Sequence, residues 1–192
     1  MSQDRVREAL GQIRREDFLP RRQRRFAAQD RALAIGLGQT NSQPTTVLNL
    51  LALLEVDEGH RVLDVGSGSG WTTALLGSLV GSAGTVYGVE LVPELAAWGQ
   101  QNLDAYDMAW ASIQQADPEA LGLPDKGPFD RILVSAEAGS LPTSLVDQLE
   151  VGGLMVIPVA GVMTTVRRTT TEPTVVRHGL YSFVPLIVPD VG

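Results

Sequence analysis

The chain has no cysteine, two histidines and one lysine, and only 5% of its 192 residues are aromatic. Without cysteine there is no thiolate metal ligand, no catalytic thiol and no redox pair, so a reducing cytoplasm suits the chain. His60 and His178 alone offer little to a zinc ion, and no bound metal is expected. Long hydrophobic runs are also missing: the most apolar stretch, Gly152 to Met163, is too short to span a bilayer and contains Pro158. The N-terminus is charged and lacks the apolar core of a signal peptide, so a soluble cytoplasmic protein without membrane attachment is the expectation. The 44% apolar content, with 20 Gly and 11 Pro, suits one globular unit, and a chain of this length buries roughly 70% of its unfolded surface.

Charge is unevenly distributed. The formal net charge is −7, yet residues 1–31 hold nine Arg against five Asp or Glu. The overall sign argues against general nucleic-acid binding; the N-terminal excess is either a basic patch or a solvated helix face.

Hydrophobic spacing gives the organisation. Val6, Ala9, Leu10 and Ile13 recur at helical intervals in a segment closed by Pro20. Arg21 to Gln43 has no clear period and reads as a long loop containing Gly36 and Gly38. A helix over Gln43–Leu54 follows, with Ser42 placed as its N-cap. From residue 61, short apolar strands alternate with ten-residue helices: Arg61–Val65, Trp71–Val80, Thr85–Glu90, Pro93–Leu103, a weak strand around Ile113, Phe129–Ser135, a helix over Leu141–Glu150 ending at Gly152-Gly153, and Leu154–Val159. That alternation implies an α/β fold with a mostly parallel sheet and helices on both faces. The β-branched tail, Thr164 to Val188, reads as a hairpin-like pair adding antiparallel C-terminal strands. One domain is expected, comprising N-terminal helices and loop (1–60), a core (61–160) and the closing strands (161–192).

The sharpest motif is VLDVGSGSGW, Val62 to Trp71. A strand feeding a glycine turn that opens a helix lets backbone N–H groups approach a ligand closely. Glu90 ends the next strand, where a carboxylate can accept from both ribose hydroxyls, and the pair indicates an adenosine-type cofactor. A dinucleotide pattern requires Gly or Ala at position 71, which is Trp71 here. The spacing Gly66, Gly68, Gly70 with Asp64 ahead of it instead resembles motif I of class I methyltransferases, a Rossmann-like fold, and that likeness implies that Asp64 faces the cationic methionine end of S-adenosylmethionine. Asp117, after the third core strand, is placed to accept from an adenine amino group. Ser135, after the fourth, lies where many such enzymes hold their substrate.

The segment IGLGQTNSQP, Ile35 to Pro44, is more specific. It resembles the hallmark of the protein-L-isoaspartate (D-aspartate) O-methyltransferase family. RREDFLP (Arg14–Pro20) and, downstream, PFDRILVSAEAGSLP (128–142), DQLEVGGLMVIPV (147–159) and FVPLI (183–187) resemble further family segments in order. The resemblance implies methyl transfer from S-adenosylmethionine to the free carboxylate of isoaspartyl or D-aspartyl residues in proteins or peptides, leaving S-adenosyl-L-homocysteine and starting repair. It implies Ser42 as the catalytic residue, orienting the acceptor carboxylate. It also implies cofactor contacts from Thr40, Asn41, Ser42, Asp64, Gly66, Ser67, Gly68, Gly70, Glu90, Leu91 and Asp117. A monomer is the expected state. Ala28, Asn41, Thr45 and Pro118 depart from the usual family residues. Two other readings stay open at this point: methylation of another carboxylate or of RNA, and a cofactor-binding module without catalysis.

Overall fold

Residues 3–187 are described by the computed structural model; Val188, within the expected C-terminal pair, lies outside them. Strands apolar on both faces need cover on both, and here they form a seven-stranded sheet between two layers. In chain order the elements are α1 (Gln3–Gln12), β1 (Leu33–Gly36), β2 (Gln39–Asn41), α2 (Pro44–Leu54), β3 (Arg61–Val65), α3 (Trp71–Val80), β4 (Thr85–Glu90), α4 (Pro93–Leu103), β5 (Ala111–Gln115), β6 (Phe129–Val134), α5 (Thr143–Val146), β7 (Leu149–Val159), β8 (Val162–Arg167) and β9 (Thr174–Leu180).

The sheet order is β5-β4-β3-β6-β7-β8-β9, parallel from β5 to β7 and antiparallel through β8 and β9. Parallel register puts Leu63, Ile132 and Met155 in one row, and Asp64, Leu133 and Val156 in the next. Successive residues point to opposite faces. The Leu133 and Val156 row packs on the layer built by α1 to α4. The Leu63 row packs on α5 and the loops around Leu121 and Leu123.

Four sequence expectations change. The helix expected over Leu141–Glu150 is a single turn, because Leu149 is taken into the edge of β7 opposite Phe129. The long loop at 21–43 contains a 3-10 turn, Arg24–Phe26, and the β1–β2 hairpin. Gly36, Leu37 and Gly38 take φ of 100°, 53° and 76° at its tip, a reversal that two glycines make accessible. Ser42 does not cap α2: Gln43 holds the N-cap position without a side-chain bond, and Asp30 reaches across to accept from Thr45 N at 2.9 Å and Thr45 Oγ1 at 2.8 Å. The antiparallel pair is β8 with β9, and residues 181–187 instead return across the sheet edge, pairing through a bridge between Glu137 and Pro185.

Candidate active site

Strand order reverses beside β3, with β4 and β5 on one side and β6 and β7 on the other. Such a switch point opens a crevice at the carboxyl ends of the strands. Gly66 and Ser67 leave β3 there, and both donate to Val89 O, at 2.9 and 3.1 Å. Positive φ at Gly66 (79°) and Gly68 (53°) turns the chain back towards α3. A Cβ on Gly68 would come within 3.4 Å of Ile35 of the hairpin. Glu90, only 7% exposed, accepts from Gly68 N at 2.8 Å with one oxygen and Val92 N at 3.0 Å with the other. Each carboxylate oxygen keeps a further lone pair for a ligand hydroxyl. Ser67 Oγ and Ser135 Oγ are buried beside this cavity without partners, so polar groups are in place for a polar ligand.

Two expected cofactor contacts fall elsewhere. Asp64 is fully buried and does not line the cavity. Register turns it into the helix layer, where one oxygen accepts the Thr72 and Thr73 hydroxyls at 2.7 Å each and the other is unpartnered. Burial pushes its carboxyl up to about 6, against the lowering effect of the two hydroxyls, and the Glu90 charge adds to the rise. Gly70 is likewise absent from the lining. A Cβ there would lie 2.8 Å from Gly99 O and 2.9 Å from Ile113 Cδ1, so this glycine lets α3 and α4 approach.

Thr40, Asn41 and Ser42 line the facing wall together with Ile35. Their placement depends on Arg15, which the sequence pattern does not single out within RREDFLP. This buried guanidinium donates to Asn41 Oδ1 at 2.8 Å and to the carbonyls of Ala27, Gln29, Arg31, Asn41 and Ser42 at 2.8–3.2 Å. Desolvation lowers its pKa to about 10, opposed by the Asp30 charge, and it remains a cation at neutral pH. Asn41 in turn donates to Ser69 Oγ at 3.3 Å. The departure at position 41 therefore joins the hairpin to the glycine turn through a buried amide.

Leu91 and Asp117 line the third wall, where Asp117 Oδ1 also accepts Glu119 N at 2.8 Å as a turn residue. Val184 to Ile187 form the fourth wall, which nothing in the sequence assigns to the site. It is tied down by Glu137 N donating to Val184 O at 2.8 Å and Leu186 N to Glu137 O at 2.7 Å. His60 is not part of this lining; its Nδ1 accepts Asp57 N at 3.0 Å. Among the described residues no cluster of His, Asp and Glu is arranged to hold a metal.

A glycine turn at the switch point of a mostly parallel sheet, with a carboxylate closing the next strand, is built for an adenosine-type cofactor, and Trp71 where a dinucleotide turn takes Gly or Ala makes it that of a class I S-adenosylmethionine-dependent methyltransferase. The model of the protein-L-isoaspartate (D-aspartate) O-methyltransferase family matches residues 1–188. The chain belongs to that family. A protein-L-isoaspartate O-methyltransferase of Aeropyrum pernix is 40% identical over 188 residues, covering 95% of this chain and 72% of the relative. Protein-L-isoaspartate O-methyltransferase 2 of Marinobacter nauticus is 39% identical, with coverage of 97% and 86%. Among solved structures, a protein-L-isoaspartate O-methyltransferase superposes with TM-score 0.86 at 23% identity, over 95% of this chain and 61% of that one. A Plasmodium falciparum protein described as a member of this group, in complex with S-adenosyl-L-homocysteine, gives 0.83 at 25% identity, with coverage of 95% and 90%. No helix among the described residues is long and apolar enough to cross a membrane.

Proposed function

We propose that the cavity binds S-adenosylmethionine and that the chain transfers its methyl group to the free carboxylate of L-isoaspartyl or D-aspartyl residues in proteins or peptides. The observation that carries this reading is one cavity lined both by the glycine turn with Glu90 and by Asn41 and Ser42 of the hairpin. When bound, S-adenosylmethionine supplies an electrophilic methyl group on a sulfonium. Glu90 accepts from the ribose hydroxyls, and Asp117 from the adenine amino group. Gly66 to Gly68, with Leu91, leave room for close approach of the cofactor. Thr40 and Asn41 shape the wall next to it.

Ser42 is assigned to hold the acceptor carboxylate in line with the methyl group. An isoaspartyl carboxylate, with a pKa near ~4, is already ionised at neutral pH, so no general base is required. The protein contributes orientation and exclusion of water. In the resulting methyl ester the carbonyl is open to attack by the following backbone amide nitrogen; a C–N bond forms, the methoxy group leaves with the amide proton as methanol, and the succinimide so formed begins repair. The hairpin residues Ile35 and Gln39 to Ser42, the ends of the central strands and residues 184–187 all contribute walls, which supports one functional unit. RNA methylation would rest on the arginine-rich N-terminal segment alone.

The test is methyl transfer from labelled S-adenosylmethionine to paired peptides differing only in Asp or isoAsp at one site. Base-labile label on the isoAsp peptide alone is expected. Label on RNA instead, or cofactor binding with no transfer to either peptide, would overturn the assignment.

A further inference from the structure

The segment 21–31 carries five exposed arginines, Arg21, Arg22, Arg24, Arg25 and Arg31, in a chain whose net charge is −7. Among the described residues none of them forms an ion pair; the pairs lie at Arg5, Arg7, Arg14 and Arg167. Asp30, the one acid of the segment, is engaged by Thr45 and Gln43.

Two of these charges, Arg25 and Arg31, lie on a packed aromatic ring. Phe26 packs against the cluster of Leu19, Leu33, Ile35 and Leu95 beneath the hairpin. On its ring sit the guanidinium of Arg25, 4.6 Å from the centroid, and that of Arg31, at 5.1 Å. Two cations thus share one aromatic plate, within the sum of those distances of each other, and neither is ion-paired to a carboxylate among the described residues. The plate adjoins the cavity: Arg15 Nη2 donates at 2.8 Å both to Arg31 O and to Ser42 O, and Ser42 lines the site.

We propose that Arg25 and Arg31, with the neighbouring arginines, form a docking surface for acidic residues flanking the methyl-accepting site, so that this chain selects damaged positions in acidic stretches of polypeptide. The proposal deepens the carboxyl-methylation reading and rests on it. A guanidinium face suits carboxylates because it presents planar paired donors. An exposed electrostatic surface of this kind acts mainly on encounter and KM, and fades with salt.

The experiment compares two isoaspartyl peptides, one flanked by Glu and one by Gln, with the wild-type chain, the Arg25→Gln/Arg31→Gln variant and the Arg25→Lys/Arg31→Lys variant. Methylation is followed at low and high salt, and binding of the same peptides by fluorescence anisotropy. The wild type is expected to favour the Glu-flanked peptide roughly tenfold in kcat/KM at low salt, through KM, with the preference shrinking at high salt. The Gln variant should lose the preference while kcat on the Gln-flanked peptide and the affinity for S-adenosyl-L-homocysteine stay unchanged. The Lys variant should retain part of it. Equal methylation of both peptides by the wild type, or an undiminished preference in the Gln variant, overturns the docking surface and leaves methyl transfer standing. Arginine-dependent binding of the Glu-flanked peptide without methylation overturns methyl transfer and leaves the docking surface standing. Neither binding nor methylation overturns both. Loss of single-stranded RNA binding in the Gln variant, with peptide preference unaltered, would assign the arginines to nucleic acid.

Discussion

Glu90 and Ser42 sit on opposite walls of one cavity and are expected to fail in different ways. Glu90→Ala removes a buried carboxylate and also releases Gly68 N and Val92 N. Hydrogen bonds to charged groups are worth about 1.5–3 kcal/mol each, so affinity for S-adenosyl-L-homocysteine should fall at least about tenfold by calorimetry. Ser42→Ala should lower kcat with cofactor affinity little altered; the reverse pattern would exchange their roles. Asp64 offers a test through stability. Its carboxyl is raised from 3.8 to about 6, so the native state holds the proton more tightly than the unfolded chain. The stability it contributes is fully present below the usual carboxylate value, declines as pH rises through about 6, and is flat above. Asp64→Asn should remove this slope, leaving a difference of up to about 3 kcal/mol between acid and neutral pH in denaturant titrations of the two proteins. An unchanged slope would mean that Asp64 is solvated.

Between elements, Arg15 joins the chain before the hairpin to the hairpin itself. Arg15→Ala would strand the carbonyl of Asn41, which is buried, and those of Ala27, Gln29, Arg31 and Ser42, which are partly so. A loss of at least about 3 kcal/mol is expected on chemical denaturation. Arg15→Lys should rescue little, since one ammonium cannot span a planar array of acceptors. Gly70→Ala tests a different joint: the added methyl meets Gly99 O at 2.8 Å, which is backbone and cannot swing away. This variant should be destabilised by roughly 1–3 kcal/mol while the glycine turn keeps its ligand-facing residues. The parallel core was legible because β3, α3, β4 and α4 each carry a local signature, an apolar run, a glycine turn or an N-terminal proline. The hairpin was not, because β1 and β2 are four and three residues long and their pairing is set by Arg15 and by three left-handed residues in succession. Ser42 looks like a cap in the sequence because Asp30, which accepts from Thr45 N at the start of α2, is distant in sequence. The C-terminal wall was illegible for the same reason: Val184 to Ile187 look like a strand, and only the ladder from β7 to β9 turns them back to the cavity.

At the scale of the whole molecule, the cavity is assembled from segments more than 140 residues apart in the chain. Residues 35–42 supply one wall and residues 184–187 another, with the glycine turn between them. S-adenosyl-L-homocysteine is therefore expected to protect both segments together in limited proteolysis, with cleavage in 21–42 and in 181–187 slowed to a similar degree. Protection of one alone would separate the walls. This arrangement also puts the site in time. A nascent chain halted before residue 184 already contains every glycine of the turn, Glu90, Ser42 and Arg15, yet its crevice has an open side. On the proposed reading, competence to retain the cofactor is expected only once residues 184–187 are in place. Because a ligand stabilises only the form that binds it, S-adenosylmethionine would favour molecules in which residues 184–187 have closed the crevice over those cut short of them.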